Sequence, residues 1–278
     1  MTGLMTSRPL AGQRVLLKLG GATLQDPDVI TRVARDVTAA TEAGASIAIV
    51  HGGGPAINEE LTRRGITWNF FEGQRITTPE MMDVIETVLC GHVNRKIVRA
   101  LNTSHVEALG FSGVDGRTLQ CRLSDERMGL VGVVTKVDTS IFTSWMTEPK
   151  RVGVMAPVGW GGEGRALNVN ADWAAAQVAC SMKVNRLVYL TDQDGILDQD
   201  KTLIPRATAS ALERLIETGV VAGGMLAKVR TILFALDHGV EGVQIANARK
   251  PQALLDVLTG KEIGTLCVST GVSNGAKK

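Results

Sequence analysis

The chain is poor in aromatic residues, at 4% Phe, Trp and Tyr. That scarcity argues against a surface built to stack nucleic-acid bases. Net charge is low as well: 30 basic against 28 acidic residues leave +2, without the basic excess that a phosphate-backbone footprint shows. Nucleic acid is therefore not an expected partner. No apolar run approaches the ~18 residues of a membrane span, and the first residues lack the basic segment and apolar stretch of a secretory leader. No membrane partner is expected, and the expected location is the cytoplasm. Cys90, Cys121, Cys180 and Cys267 stand far apart with no Cys-x-x-Cys pair. Neither a zinc site nor a disulfide framework is expected, only free thiols.

Several catalytic signatures are also missing. Walker A does not occur, nor do the His-Arg-Asp and Asp-Phe-Gly of protein kinases, nor a Gly-x-Ser-x-Gly elbow. Gly159-Trp160-Gly161-Gly162-Glu163-Gly164 does match Gly-x-Gly-x-x-Gly. However, no acidic residue stands about 20 positions on, as a dinucleotide site demands, so this stretch is set aside.

What is present is a chain of 278 residues with 44% hydrophobic composition, ample for one large α/β domain or two lobes. Short apolar runs at 15–19, 47–50, 152–158, 187–190, 243–246 and 266–268 suit strands buried on both faces of a parallel sheet. Helical patterns separate them, over 29–43, 56–64, 79–102, 171–182, 208–218 and 225–238. In the third, Met81, Ile85, Leu89, Val93, Ile97 and Leu101 recur near helical spacing, and Thr78-Pro79 supplies a cap and first-turn proline. The apolar face of this helix suits either the core or a dimer contact. The alternation of strand and helix predicts an α/β fold with a doubly wound, mainly parallel open sheet. The region 112–150 reads as short hairpins at a lobe boundary, with Asp115-Gly116 as a turn.

The chemistry gathers at strand ends. Lys18-Leu19-Gly20-Gly21 places a lysine at the end of a buried-type strand, where ligands of open α/β sheets bind, and its glycines let backbone N–H groups approach an anion. His51-Gly52-Gly53-Gly54-Pro55 joins a strand to a helix and forms an anion nest suited to phosphate or carboxylate; His51 itself reads as structural. Arg75, in Gly73-Gln74-Arg75-Ile76-Thr77, offers a fork for a carboxylate, yet without context it reads as a surface residue. Asn168-Val169-Asn170-Ala171-Asp172 is a polar cluster in which Asp172 reads both as the cap of the next helix and as an anion that orients nearby lysines. Thr191-Asp192-Gln193-Asp194-Gly195 follows a strand and suits a nucleotide or an ordinary turn. Gly223-Gly224-Met225-Leu226-Ala227-Lys228 places a lysine in the first turn of a helix, where anions gather.

Taken singly these motifs are weak; their order and spacing are specific. Together with Gly91-His92-Val93-Asn94-Arg95-Lys96 and Ile263-Gly264-Thr265, they resemble the amino acid kinase superfamily over residues 14 to 268. Within it, the chain is similar to the N-acetylglutamate kinases. The resemblance implies a three-layer αβα sandwich in two lobes. Residues 14–182 would form an N-terminal lobe for the acyl amino acid and for dimerisation, and 183–268 a C-terminal lobe for ATP. The segments 1–13 and 269–278 read as flexible tails. It implies transfer of the γ-phosphoryl group of ATP to the side-chain carboxylate of N-acetyl-L-glutamate. Lys18 and Lys228 would stabilise the transferring group beside Gly20 and Gly21, and Asp172 would hold both lysines. Gly53, Gly54, Arg75 and Asn168 would bind the acylated amino acid, and Thr191, Asp192 and Gly195 the nucleotide. Mg²⁺ would arrive with the nucleotide, and no protein metal ligand is expected. Few residues precede the first strand and Pro9 interrupts them, which favours a homodimer over the hexamer of arginine-inhibited relatives. Pro251-Gln252 replaces the histidine often found before the last helix of the family.

Overall fold

A computed structural model describes residues 9–71 and 73–269 of the chain. The first half runs β1 (Arg14–Leu19), α1 (Pro27–Glu42), β2 (Ser46–His51), α2 (Gly54–Arg63) and a small hairpin of β3 (Phe70–Phe71) and β4 (Gln74–Arg75). A long helix follows, α3 (Pro79–Glu86) and α4 (Asn94–Thr103), joined through a π-helical segment at Thr87–Val93. Then come β5 (Glu107–Gly113), β6 (Leu119–Leu123), β7 (Val131–Val137), α5 (Ser140–Trp145), β8 (Arg151–Trp160), β9 (Ala166–Val169) and α6 (Ala171–Ser181). The second half adds β10 (Arg186–Thr191), β11 (Arg206–Thr208), α7 (Ala209–Glu217), α8 (Gly223–Asp237), β12 (Gly242–Asn247), α9 (Ala253–Leu258) and β13 (Thr265–Val268).

These strands build an 11-stranded sheet in the order β11-β13-β12-β10-β1-β2-β8-β6-β7-β9, with β5 also paired to β8. From β12 to β2 and on through β8 to β5, neighbours are parallel, as continuous apolar runs buried on both faces require. The halves expected as lobes meet along β1 and β10, where Lys18 pairs with Tyr189.

Period-2 alternation divides the core between two faces. Val15, Leu17 and Leu19 face α1, the long α3–α4 helix and α9. Leu16, Val50, Leu187 and Tyr189 face α6 and α8, whose Ala175, Val178, Val229 and Ile232 are fully buried. Lys18 shares the Leu16 side of β1, so the strand delivers its ammonium towards α6 and α8.

The long helix explains a feature of its own sequence. Its apolar residues recur every fourth position, and in an α-helix each such step advances a side chain about 40° beyond a full turn. The row would wind off the core. The wider π turns over Thr87–Val93 bring it back, and Met81, Ile85, Leu89, Val93, Ile97 and Leu101 are each at most 5% exposed. This apolar stripe is core, so it is not free to make a dimer contact.

Other local expectations are corrected. The β6–β7 hairpin lies towards the sheet edge opposite β10–β12, not at a lobe boundary. Asp115-Gly116 sits in a 3-10 turn between β5 and β6 rather than in a hairpin turn. The glycine-rich stretch 159–164 joins the antiparallel strands β8 and β9, with Arg165 donating to the Gly162 carbonyl at 2.9 Å, and opens no helix. Residues 1–8 and 270–278 of the expected tails lie outside the described residues. From residue 9 the chain is anchored: Leu10 is buried and donates its N–H to the Ala43 carbonyl at 3.0 Å.

Candidate active site

The chain leaves β1 for β2 on one side and lies against β10 on the other, which opens a crevice beyond the carboxyl ends of these strands. A cleft of about 320 Å³ occupies it, and its walls include Lys18, Gly21, Gly53, Gly54, Arg75, Asn168 and Asp172. Gly21 must be glycine for close packing: a Cβ there would lie 2.9 Å from Gly54 N and 3.0 Å from Gly53 N. The glycine turns after β1 and β2 thus approach backbone to backbone. The first turn of α2 carries no side-chain cap, so its N–H groups are available to an anion.

Asp172 stands between the two lysines. Its Oδ1 is 2.5 Å from Lys18 Nζ in an ion pair, and its Oδ2 accepts a hydrogen bond from Lys228 Nζ at 2.7 Å. Both lysines are 8% exposed. Burial alone would raise the Asp172 pKa, but the charges and hydrogen bonds of Lys18 and Lys228 hold it well below the usual carboxylate range. Burial, then the neighbouring Lys18 charge, lowers the Lys228 pKa against the pull of Asp172. The Lys228 ammonium also lies 4.8 Å from the centre of the Tyr189 ring, and the Tyr189 hydroxyl is hydrogen-bonded to Thr231 Oγ1 at 2.9 Å.

Two local assignments change. Asn170, not Asp172, caps α6: its Oδ1 accepts from Asp172 N at 2.9 Å and Trp173 N at 3.2 Å. That frees the Asp172 carboxylate for the lysines. Lys228 lies beyond the first turn of its helix, because α8 already begins at Gly223.

Arg75 is only 6% exposed, against the surface position its sequence context suggests. Asn58 Oδ1 accepts from its Nη2, and the rings of Phe70 and Trp68 lie 4.8 and 5.3 Å from its guanidinium carbon. Its Nη1 is buried without a partner. Burial lowers the Arg75 pKa, and the orphaned donor on a cleft wall fits an incoming carboxylate. Asn168 donates to Thr77 Oγ1 at 3.0 Å, which orients its amide at the same cleft. Asn58, Trp68 and Phe70 carried no sequence signal. They matter through the burial of Arg75, which only tertiary contact creates.

The nucleotide candidates lie outside the cleft wall, at the end of β10. Gly20 packs against them: its N–H donates to the Leu190 carbonyl at 2.9 Å, and a Cβ on it would come 3.6 Å from Thr191 Cα. Thr191 donates to Asp192 Oδ1 at 3.0 Å, and the Asp192 charge acts on Lys228. Gly195, at φ 153°, packs against Thr265, whose Oγ1 a Cβ would meet at 2.5 Å.

A lysine at the end of β1 and a second on α8, bridged by an aspartate of α6 beside a doubly wound sheet, define a phosphotransferase-like α/β class. The model of the amino acid kinase family matches residues 13–247, and the chain belongs to that family. Among curated relatives, the acetylglutamate kinase of Synechococcus sp. (strain RCC307) is 40% identical over 93% of this chain and 89% of its own length. That of Geobacter metallireducens is 37% identical over 95% of each. Among solved structures, N-acetylglutamate synthase from Neisseria gonorrhoeae, complexed with coenzyme A and N-acetyl-glutamate, superposes with a TM-score of 0.84 at 26% identity. The match covers 95% of this chain and 61% of that one, so the chain spans about three-fifths of the synthase. Giardia carbamate kinase, at 14% identity and a TM-score of 0.70, shares the fold.

Proposed function

We propose that this chain transfers the γ-phosphoryl group of ATP to the side-chain carboxylate of N-acetyl-L-glutamate, giving N-acetyl-L-glutamyl 5-phosphate in arginine biosynthesis. The observation that carries the reading is the Lys18–Asp172–Lys228 cluster, whose Lys18 and Asp172 line the same cleft as Arg75 with its unpaired Nη1. Phosphoryl transfer asks the protein for in-line positioning and charge stabilisation rather than covalent chemistry. The attacking group is an ionised carboxylate, so no general base is required. In this reading Lys18 and Lys228 stabilise charge on the transferring group, near Gly20 and Gly21. Asp172 keeps the two ammonium groups close by lowering their mutual repulsion.

Arg75 and Asn168 anchor the acceptor together with Gly53 and Gly54. Thr191, Asp192 and Gly195 serve the nucleotide. Magnesium bound with the nucleotide supplies further positive charge at its phosphates; among the described residues no group of three or more His, Cys, Asp or Glu side chains is placed to hold it alone. Residues 14–182 would be the acceptor lobe and 183–268 the ATP lobe. A cytoplasmic homodimer completes the reading; no helix among the described residues is long and apolar enough to cross a membrane.

A second acceptor is favoured by one feature. A recess of about 250 Å³ shares Gln74, Val169 and Asn170 with the cleft, room for a longer substrate such as acetylaminoadipate or a carrier-bound amino acid. The lysine–aspartate cluster argues against a non-catalytic regulatory module. An ADP-coupled assay with acetylglutamate, acetylaminoadipate and aspartate separates these readings. Turnover with acetylglutamate above the other two is expected, and no turnover with these three or with a carrier-bound amino acid would leave only the regulatory module.

A further inference from the structure

His51 and Asn94 lie outside the walls of the cleft, and both are 0% exposed. His51 ends β2 on the same face as Ile47 and Ile49, away from Lys18, and its ring meets the start of α4. Its Nδ1 is 3.1 Å from the Gly52 carbonyl oxygen. A carbonyl only accepts, so Nδ1 carries the proton and Nε2 presents a lone pair. Asn94 Nδ2 donates to that Nε2 at 3.1 Å and to the Val154 carbonyl at 2.9 Å. The Val154 contact settles which way the amide points, and Arg95 Nη2 donates to its Oδ1 at 2.5 Å. Gly110 of β5 leaves the space for this chain of bonds: a side chain there would overlap Asn94 Oδ1 and the Arg95 guanidinium. The π-helical segment ends at Val93, which is what turns Asn94 inward beside the apolar row of the helix.

The chain of hydrogen bonds therefore ends on one peptide group. A trans peptide directs its C=O and N–H oppositely. Holding the Gly52 carbonyl towards His51 aims the Gly53 N–H the other way, to the side where the Gly21 turn backs against Gly53 and Gly54. We propose that His51 and Asn94 are positioning residues: Asn94 enforces the neutral Nδ1–H form of His51, which holds the His-Gly-Gly-Gly turn with its N–H groups presented to the anionic acceptor. The identity of that acceptor rests on the function proposed above. An imidazolium would set an Nε2–H against the Asn94 donors, so the device works only with neutral histidine. Burial first, then the charges of Lys18 on β1 and Arg95 on α4, lower the His51 pKa to about 4.

The test has two parts. Nitrogen-15 correlation spectra of the histidines, of which the chain has 4, should show His51 as Nδ1–H with a bare Nε2, unchanged across neutral and mildly acidic pH. In Asn94→Asp the carboxylate should turn His51 into an imidazolium. In steady-state kinetics, Asn94→Asp and Asn94→Ala should raise the KM for acetylglutamate about tenfold while the KM for ATP stays within about twofold (a tenfold change is ~1.4 kcal/mol). An Nε2–H tautomer in the unmodified protein overturns the proposal, and that result needs no variant to fold. So does an unchanged acceptor KM in folded Asn94 variants, or an equal rise in both KM values. Turnover of acetylaminoadipate alone would remove the substrate reading only; the same KM ratio is then read on that acceptor.

Discussion

Two aspartates, one partly and one fully buried, set the active region apart from its scaffold. Asp172, on α6, meets two lysines and is held well below the usual carboxylate pKa. Asp36, on α1, is 6% exposed and accepts a hydrogen bond from the Leu254 N–H at 3.1 Å, at the start of α9. No ion pair satisfies it among the described residues. Burial raises its pKa to about 6, with repulsion from Asp256 added and the bonds to Leu254 and Leu255 and the Arg32 charge only partly opposing. The same residue type is thus an obligate anion in one place and holds its proton up to about pH 6 in the other. Backbone N–H groups suffice for Asp36 to tie two helices together, whereas Asp172 takes two full ionic partners where charge is to be handled.

Breaking the Asp172 side of this contrast should have the largest effect. Asp172→Asn leaves two buried ammonium groups facing each other without their anion, and unfolding in urea at neutral pH should show a loss of about 3 kcal/mol. Adding Lys228→Met should recover much of that stability while kcat stays low. If the double variant is no more stable than the single one, the two residues are not coupled.

Lys18→Ala and Lys228→Ala should each lower kcat tenfold or more, at least ~1.4 kcal/mol in the barrier, with modest change in ATP affinity. A near-normal kcat in either variant sinks the phosphoryl bracket. Arg75→Ala should act on binding instead, raising the KM for acetylglutamate about tenfold, and Arg75→Lys should recover little because an ammonium lacks the planar fork. An unchanged KM would remove Arg75 from the acceptor site.

A last prediction sharpens the contrast through pH. Asp172 has a depressed folded pKa, so its contribution is present above its unfolded value of about 3.8 and is lost as pH falls below it. Asp36 has the opposite sign. Its folded form holds the proton more tightly than the unfolded chain, so its cost appears as pH rises from about 4 to about 6. Asp36→Asn should therefore gain about 2 kcal/mol relative to the unmodified protein on going from pH 4.5 to 7.5. The comparison must be between the two proteins, because His51, lowered to about 4, adds stability over the same interval as pH rises. A pH-independent difference would show that Asp36 is ionised throughout.

Much of the scaffold was legible because its signals are local. The apolar runs that end at Leu19, Val50 and Leu190 became parallel strands within a residue or two of their expected limits, since burial on both faces selects continuous apolar runs. Thr78 caps its helix through Met81 N at 3.2 Å. Less legible were departures from a single period. The π-helical segment was visible only as a spacing of four that an α-helix cannot keep on one face. Asp172 looked like a cap because Asn170, two positions earlier, competes for the same role.

The sequence by itself determined which residues end strands and begin helices, and period-2 alternation in β1 committed Lys18 to the Leu16 face. It also placed glycines where the turns after β1 and β2 must touch. Tertiary structure alone decided that Asp172 lies between Lys18 and Lys228, the latter 56 residues further along the chain. It likewise decided that Arg75 is buried against Phe70 and Trp68 with one donor unpaired, and that the His51 ring is enclosed between the Gly52 carbonyl and the Asn94 amide. The physical reason is range. Backbone periodicity acts over a few residues, whereas the charge and burial of a side chain depend on every segment that packs around it, and those meet only when the sheet order brings β1, β2 and β10 together.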